Sequence, residues 1–419
     1  MVIAISVIAA LAVAFIPSAH AAAREEVRVV RGTEGRVMGS TGEATRSPAR
    51  RSTAAETVVG RFATFVVDLD DFPVAAREAM RYALRSVGNV VRSRIPIVVE
   101  AHWEPLEGDT LGLGSSYAHL LSGGIAGEGT WFSDALANDL LNEDMDPNMY
   151  EIRIRLNSDF TDWYFGTDGK GSEGQVDFVN TAVHELLHGL GWYTELEVVN
   201  EEGRWGLRGS TPKTDPVRFD VFVENGGGEV LISDFDNPSE QLAEQITSEN
   251  VFFGGPTATA SNRGIAPALY APPVYTPSSV AHLARIFDDT PDGTITPFDN
   301  PSHALGPVIR GVLADLAYLI AHKRNVSLDD QKHLKFKGKV AVPLGFPGCR
   351  SDIKVLIQRL KKGRWVKVAS EKTEANGDFT VQAPDRAGRY RARIKRQNKG
   401  PMKVNICLEA TSDSVVHRH

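Results

Sequence analysis

One pentapeptide constrains this chain more than any other feature. Residues 184–188 read His-Glu-Leu-Leu-His, inside TAVHELLHGLGW at 181–192. Apolar residues recur at helical spacing over 176–190, so the spacing predicts an amphipathic helix there. On such a helix His184 and His188 lie one turn apart on the same face, and both imidazoles can reach one metal ion. Glu185 sits beside them, placed to take a proton from a water that such an ion activates. Zn²⁺ suits imidazole ligands and non-redox hydrolysis. The competing reading is a core helix with two internally satisfied histidines, and Leu186, Leu187 and Leu190 make it a core helix in either case. Two histidines do not complete a zinc site, so a third protein ligand is required.

At 419 residues the chain has room for two or three domains. Its 42% hydrophobic and 24% charged residues exclude a disordered or collagen-like chain. Past residue 20 no run of ~18 uncharged apolar residues occurs, which excludes a multi-span membrane protein. The net charge of -7 hides an asymmetry: residues 1–330 carry 25 Lys and Arg against 46 Asp and Glu, whereas residues 331–419 carry 21 against 7. The acidic bulk argues against a nucleic-acid enzyme. The basic end offers a face to an anionic surface, unless its charge is simply solvated.

Residues 1–21 read as a secretory signal peptide. The apolar run VIAISVIAALAVAFI is followed by a small-residue cleavage site at Ala19-His20-Ala21. No Lys or Arg precedes the run, which leaves an uncleaved anchor as the alternative. Residues 22–58 are rich in Arg, Gly, Ser, Thr and Ala and read as a disordered leader or pro-segment. In an exported, extracellular chain the only two cysteines, Cys349 and Cys407, are expected to pair; two unrelated buried thiols are the other option.

The pattern between these ends is α+β. A strand is expected near 62–67, a helix at 75–91, a strand at 96–101, a glycine-rich loop over 112–129, a helix at 131–141 and a closing helix at 309–322. EIRIRL at 151–156 alternates apolar and charged residues, as a half-exposed strand does; its charges favour an exposed edge or face over an ordinary interior strand. This gives one domain over 59–325. From 331 to 419, short alternating segments between turn residues predict a basic antiparallel β-sandwich closed by the disulfide. Asp288-Asp289 and Asp292-Gly293 are turn signals first and weak calcium signals second.

HELLHGLG resembles the HExxHxxG opening of the metzincin metallopeptidases. Where the compact metzincin pattern has its third His, this chain has Thr194. The chain looks like the leishmanolysin-like metzincins and the similar secreted bacterial HExxHxxG peptidases, which insert a long segment before that His. After such an insertion it has SSVAHL at 278–283 and TITP at 294–297, where that group has Ser-Ser-x-x-His-Leu and then Leu-Met-Thr-Pro.

The resemblance covers roughly residues 60–320. It implies a metzincin-like fold and a secreted zinc endopeptidase acting on protein or peptide substrates. It also implies Glu185 as general base and His184, His188 and His282 as ligands to one zinc ion; His303 stays as the alternative third ligand, since spacing alone does not place loops. Ile295 stands where the group has the Met that packs beneath the metal. The strand at 151–156 would be the edge on which extended substrates pair. No Cys precedes 349, so a pro-segment thiol on the zinc is unavailable. Two rival readings remain: a gluzincin-type site completed by Glu240 or Glu244, and a catalytically inactive metalloprotease-fold adhesin or binding protein whose basic module does the work.

Overall fold

The computed structural model describes residues 55–127, 129–208, 214–296, 302–331 and 335–418, and the backbone of residues 28–29 and 36–39. The expected signal peptide lies outside the described residues. The architecture is mixed α and β, built on one large sheet. Its strands are β1 (Arg28–Val29), β2 (Arg36–Gly39), β3 (Glu56–Val59), β4 (Thr64–Val67), β6 (Ile97–Glu104), β7 (Gly112–Ser122), β8 (Thr130–Ser133) and β9 (Ile152–Asn157). The short β5 (Val91–Arg92) belongs to another sheet. The order is β1-β7-β9-β6-β4-β3, with β2 and β8 also on β7. β4, β6 and β9 run parallel, while β7 runs antiparallel to β9.

Helices α1 (Val74–Gly88) and α3 (Phe178–Gly189) pack together beneath this sheet. Met80, Leu84 and Val87 recur at three- and four-residue steps on α1 and are fully buried with Phe65, Ile152, Ile154 and the α3 residues Val183, Leu186 and Leu187. Between the two helices in sequence lies α2 (Asp134–Leu141).

Several expectations change here. EIRIRL does not form an edge: β9 is flanked by β6 and β7, and Glu151 is buried, accepting hydrogen bonds from the Val98 amide and the Asn138 side chain. The other two charges, Arg153 and Arg155, lie half-buried on one side of the sheet and pair with Glu100 and Glu104 of β6. The glycine-rich loop is largely strand β7. Its glycines serve a close approach, since a Cβ on Gly114 would lie 2.3 Å from the Glu185 carbonyl oxygen. The helix expected from 131 starts at Asp134, after strand β8. The closing helix α5 (Pro307–Leu316) stops short of 322, because Ala317 turns left-handed at φ 107 and Leu319–His322 form a strand, β10.

Of the expected leader only residues 28–29, 36–39 and 55–58 are described, and strands occur among them; the rest lies outside the described residues. β1 and β2 pair antiparallel along the outer edge of β7, and β3 falls within 22–58 as well. Arg36–Gly39 lies against Ser115–Ala118. A sequence poor in periodicity gains order there by borrowing backbone hydrogen bonds from an otherwise open strand.

The C-terminal part contains two antiparallel sheets. One joins β11 (Lys335–Ala341) to Asn325–Val326, Asp329–Gln331 and β14 (Asp378–Gln382). The other joins β12 (Lys354–Lys361), β13 (Arg364–Lys372) and β15 (Gly388–Ile394) to Ala410–Thr411 and Val415–His417. Phe336, Val340, Val355, Ile357, Phe379 and Tyr390 fill the space between them. The strand at 325–326 moves the start of this module ahead of 331.

The module is also stitched to the main body. β16 (Asn405–Cys407) pairs with β10, β10 pairs with β5, and Val404 and Ile406 are buried in the main core. A fragment starting at 331 would therefore expose Val404 and Ile406 and lose strand partners. Cys349 and Cys407 lie at disulfide distance, with Cα atoms 5.3 Å apart. No described helix is long and apolar enough to cross a membrane.

The last strand carries a pH-dependent tie. His417 reaches Asp330 through Nδ1 at 2.7 Å and Asp385 through Nε2 at 3.1 Å, and the Asp330 hydrogen bond chiefly raises its pKa. The folded pKa thus exceeds the unfolded one. The contribution to stability is full below about pH 6.5 and is lost as pH rises through the raised folded value. Thermal unfolding of His417→Gln should therefore lie well below wild type at pH 5.5 and approach it at pH 8.5. A gap that stays constant with pH would contradict the tie.

Candidate metal centre

The helix that carries His-Glu-Leu-Leu-His begins with a built cap. Asp177 accepts the Asn180 amide at 2.9 Å, satisfying a donor that the first turn leaves open. His303 also reaches Asp177, with Nε2 2.7 Å from Oδ1. Its nitrogen is thus engaged at the start of the helix, and it is not among the clustered histidines.

Those are His184, His188 and His282. Their Nε2 atoms converge: 3.0 Å from His188 to His184 and 3.1 Å from His184 to His282. Each ring is aimed by a backbone carbonyl at Nδ1. His184 meets Thr294 O at 2.8 Å, His188 meets Trp192 O at 2.7 Å, and His282 meets Ser278 O at 2.8 Å. A carbonyl only accepts, so each Nδ1 carries the proton and each Nε2 presents a lone pair. The Nε2 contacts are therefore not hydrogen bonds. Three lone pairs facing one point repel unless a cation sits among them. Around a tetrahedral ion with nitrogen ligands at 2.0–2.1 Å, nitrogens lie about 3.3 Å apart, close to this spacing. Burial keeps the rings neutral, pushing His188 down to about 4 and His282 to about 3, with His184 also well lowered.

The carbonyls that aim the rings come from turns. Gly191, at φ 102, reverses the chain after the helix so that Trp192 O points back at His188. The His282 segment is bent at Val280, whose φ of 64 is unfavourable for a β-branched residue by roughly 1–3 kcal/mol. It is held by Val280 N–H to Tyr270 O at 2.6 Å and by Tyr270 N–H to His282 O at 2.8 Å. The turn Gly293–Ile295 packs against α3, with Ile295 fully buried, and supplies the Thr294 carbonyl behind His184. Ile295 is thus a buried apolar residue next to the carbonyl that backs His184.

Glu185 is buried on the same helix. Its Oε2 has no hydrogen-bond partner among the described residues. Burial raises its pKa to about 8, opposed by the Gly114 amide of β7. An orphaned carboxylate oxygen on the helix that carries two of three converging imidazole lone pairs fits a site for a cation with a bound water.

Other sequence candidates fall elsewhere. Glu240 and Glu244 are exposed on α4 (Glu240–Ile246), which packs on the strands Glu197–Val199 and Glu202–Arg204. Thr194 bonds Asp220 at 2.6 Å. Asp292 accepts the Ile309 amide at 2.8 Å at the start of α5. Among the described residues, the histidine trio is the one group of three ligating side chains close enough to share an ion. The backing carbonyls of Trp192, Ser278 and Thr294 left no side-chain signal in the sequence.

A family model described as SPBPB7E8-like matches residues 134–201, a span that runs from α2 through the helix bearing His184, Glu185 and His188 and stops short of His282. No curated protein and no solved structure matches the chain.

Proposed function

We propose that this chain is a secreted, zinc-dependent endopeptidase of metzincin-like architecture. The observation that carries the reading is the convergence of three carbonyl-backed Nε2 atoms, two of them on the helix that also bears the buried, unpartnered carboxylate oxygen of Glu185. Zinc bound there would lower the pKa of a coordinated water and polarise a peptide carbonyl. His184, His188 and His282 are its ligands, fixed in one tautomer before any ion arrives. Glu185 takes the proton of the attacking water and passes it to the departing amine. A carboxyl that burial has raised to about 8 can hold that proton in transit, and a neighbouring cation lowers it again toward the working range.

Protein substrates bind as added strands. β7 starts against Glu185, and its outer edge offers main-chain hydrogen bonds to an extended peptide. β2 holds part of that edge in the present arrangement, so departure of the leader would open it. The apolar N-terminal run and the cysteine pair support export. Cleavage itself is the test. The purified chain should cut denatured casein at internal bonds, seen as new peptide termini by mass spectrometry. Intact casein after prolonged incubation with zinc and leader-free enzyme would favour the inactive binding protein.

A further inference from the structure

The outer face of the sheet formed by β13, β12 and β15 is the most distinctive surface away from the histidine trio. Its inward residues Val355, Ile357, Tyr390, Ala392 and Ile394 are buried. Strand alternation therefore turns Arg389, Arg391 and Arg393 of β15 outward. Register places Gln358 between Arg391 and Lys367, and Leu356 beside Arg393. Trp365 stands on the same face opposite Leu360.

At the centre, the Arg391 guanidinium lies 4.3 Å from the Trp365 ring centroid, and its Nε donates to Gln358 Oε1 at 2.9 Å. That arginine is held flat before any ligand arrives. At the rim, Arg393 pairs with Glu409 at 3.0 Å and Arg389 donates to the Ser414 hydroxyl at 2.7 Å. Among the described residues no carboxylate pairs with Arg391 or Lys367.

We infer that this face is a docking surface for a linear anionic polysaccharide whose sugar rings carry carboxylates. The cations of β15 recur at two-residue steps, about 6.7 Å, along one face of the sheet. Such an array suits a polymer with repeating charges better than one small anion, which needs a concave site. The Arg391–Trp365 pair offers a plane for a sugar ring and a fork of donors for its carboxylate. Gln358 stands beside it for a hydroxyl, and Ser370 lies in the neighbouring row with Leu356 and Arg393. A membrane fits less well, since Leu356 and Leu360 are half-buried in the sheet and supply no apolar anchor. A single-stranded nucleic acid stacks on several successive aromatics, and this face has one.

The experiment uses the full-length chain carrying Glu185→Gln, so that self-cleavage does not interfere, with polygalacturonate as the probe and dextran, anionic phospholipid vesicles and single-stranded DNA as comparators. Affinity should be measurable for polygalacturonate and negligible for dextran, and should fall as salt rises. The double variant Lys367→Gln/Arg391→Gln should weaken it by about tenfold or more with the circular dichroism spectrum unchanged. Trp365→Ala should weaken it too. Absence of binding, equal or tighter binding to the vesicles or DNA, or an unchanged affinity in the double variant would overturn the inference. None of these readouts requires peptidase activity, so the proposed function stands or falls separately.

Discussion

Glu185→Gln should reduce peptide cleavage by about 10²–10⁴-fold, the range that a positioned general base contributes. Gln keeps the shape of the side chain and removes its capacity to accept a proton. The three imidazoles are untouched, so zinc content should remain at the wild-type level. Folding should hold or improve slightly, because a buried carboxylate with an unpartnered oxygen and a pKa raised to about 8 is replaced by a neutral amide. The measurement is the cleavage rate together with metal content on the same preparation. A variant that retains more than about a tenth of the wild-type rate would remove Glu185 from the mechanism.

His282→Ala should lower zinc affinity by orders of magnitude, since it removes one of three protein ligands and leaves His184 and His188 on one helix turn. Activity should fall with it. His303→Ala is the informative partner. Its Nε2 reaches Asp177, the residue that caps the helix of the first two ligands, so its loss should cost about 1 kcal/mol of stability and leave zinc in place. Metal content after dialysis separates the two. Zinc retained in the His282 variant and lost in the His303 variant would overturn the ligand set.

Local pattern made part of the candidate site legible. His184, Glu185 and His188 need only helical spacing to be brought together, and the helix forms where the apolar spacing places it. His282 is 94 residues beyond His188, and spacing alone does not find it; the Ser-Ser-x-x-His-Leu resemblance singled it out, and the chain brings its Nε2 to 3.1 Å from that of His184. What stayed hidden depends on tertiary neighbours. Gly112 and Gly114 look like loop residues, yet they let a strand pass against Glu185. The charges of EIRIRL suggest a sheet edge, yet Arg153 and Arg155 answer carboxylates on the adjacent strand. The apolar run after Leu316 continues a helical pattern, but a left-handed Ala317 and pairing with β16 turn it into strand. Arg28–Val29 and Arg36–Gly39 gain their strand pairing from β7, so their own sequence carries little sign of it.

A zinc ion held by the histidine trio would make peptide cleavage by this chain metal-dependent. The most direct test is the cleavage rate on denatured casein after removal of metal with a chelator, followed by graded return of zinc. Cleavage should be lost on chelation and should recover to a level that saturates at one zinc ion per chain. Cleavage that survives complete removal of metal, or metal-free protein that zinc does not revive while its fold is intact, would contradict that dependence.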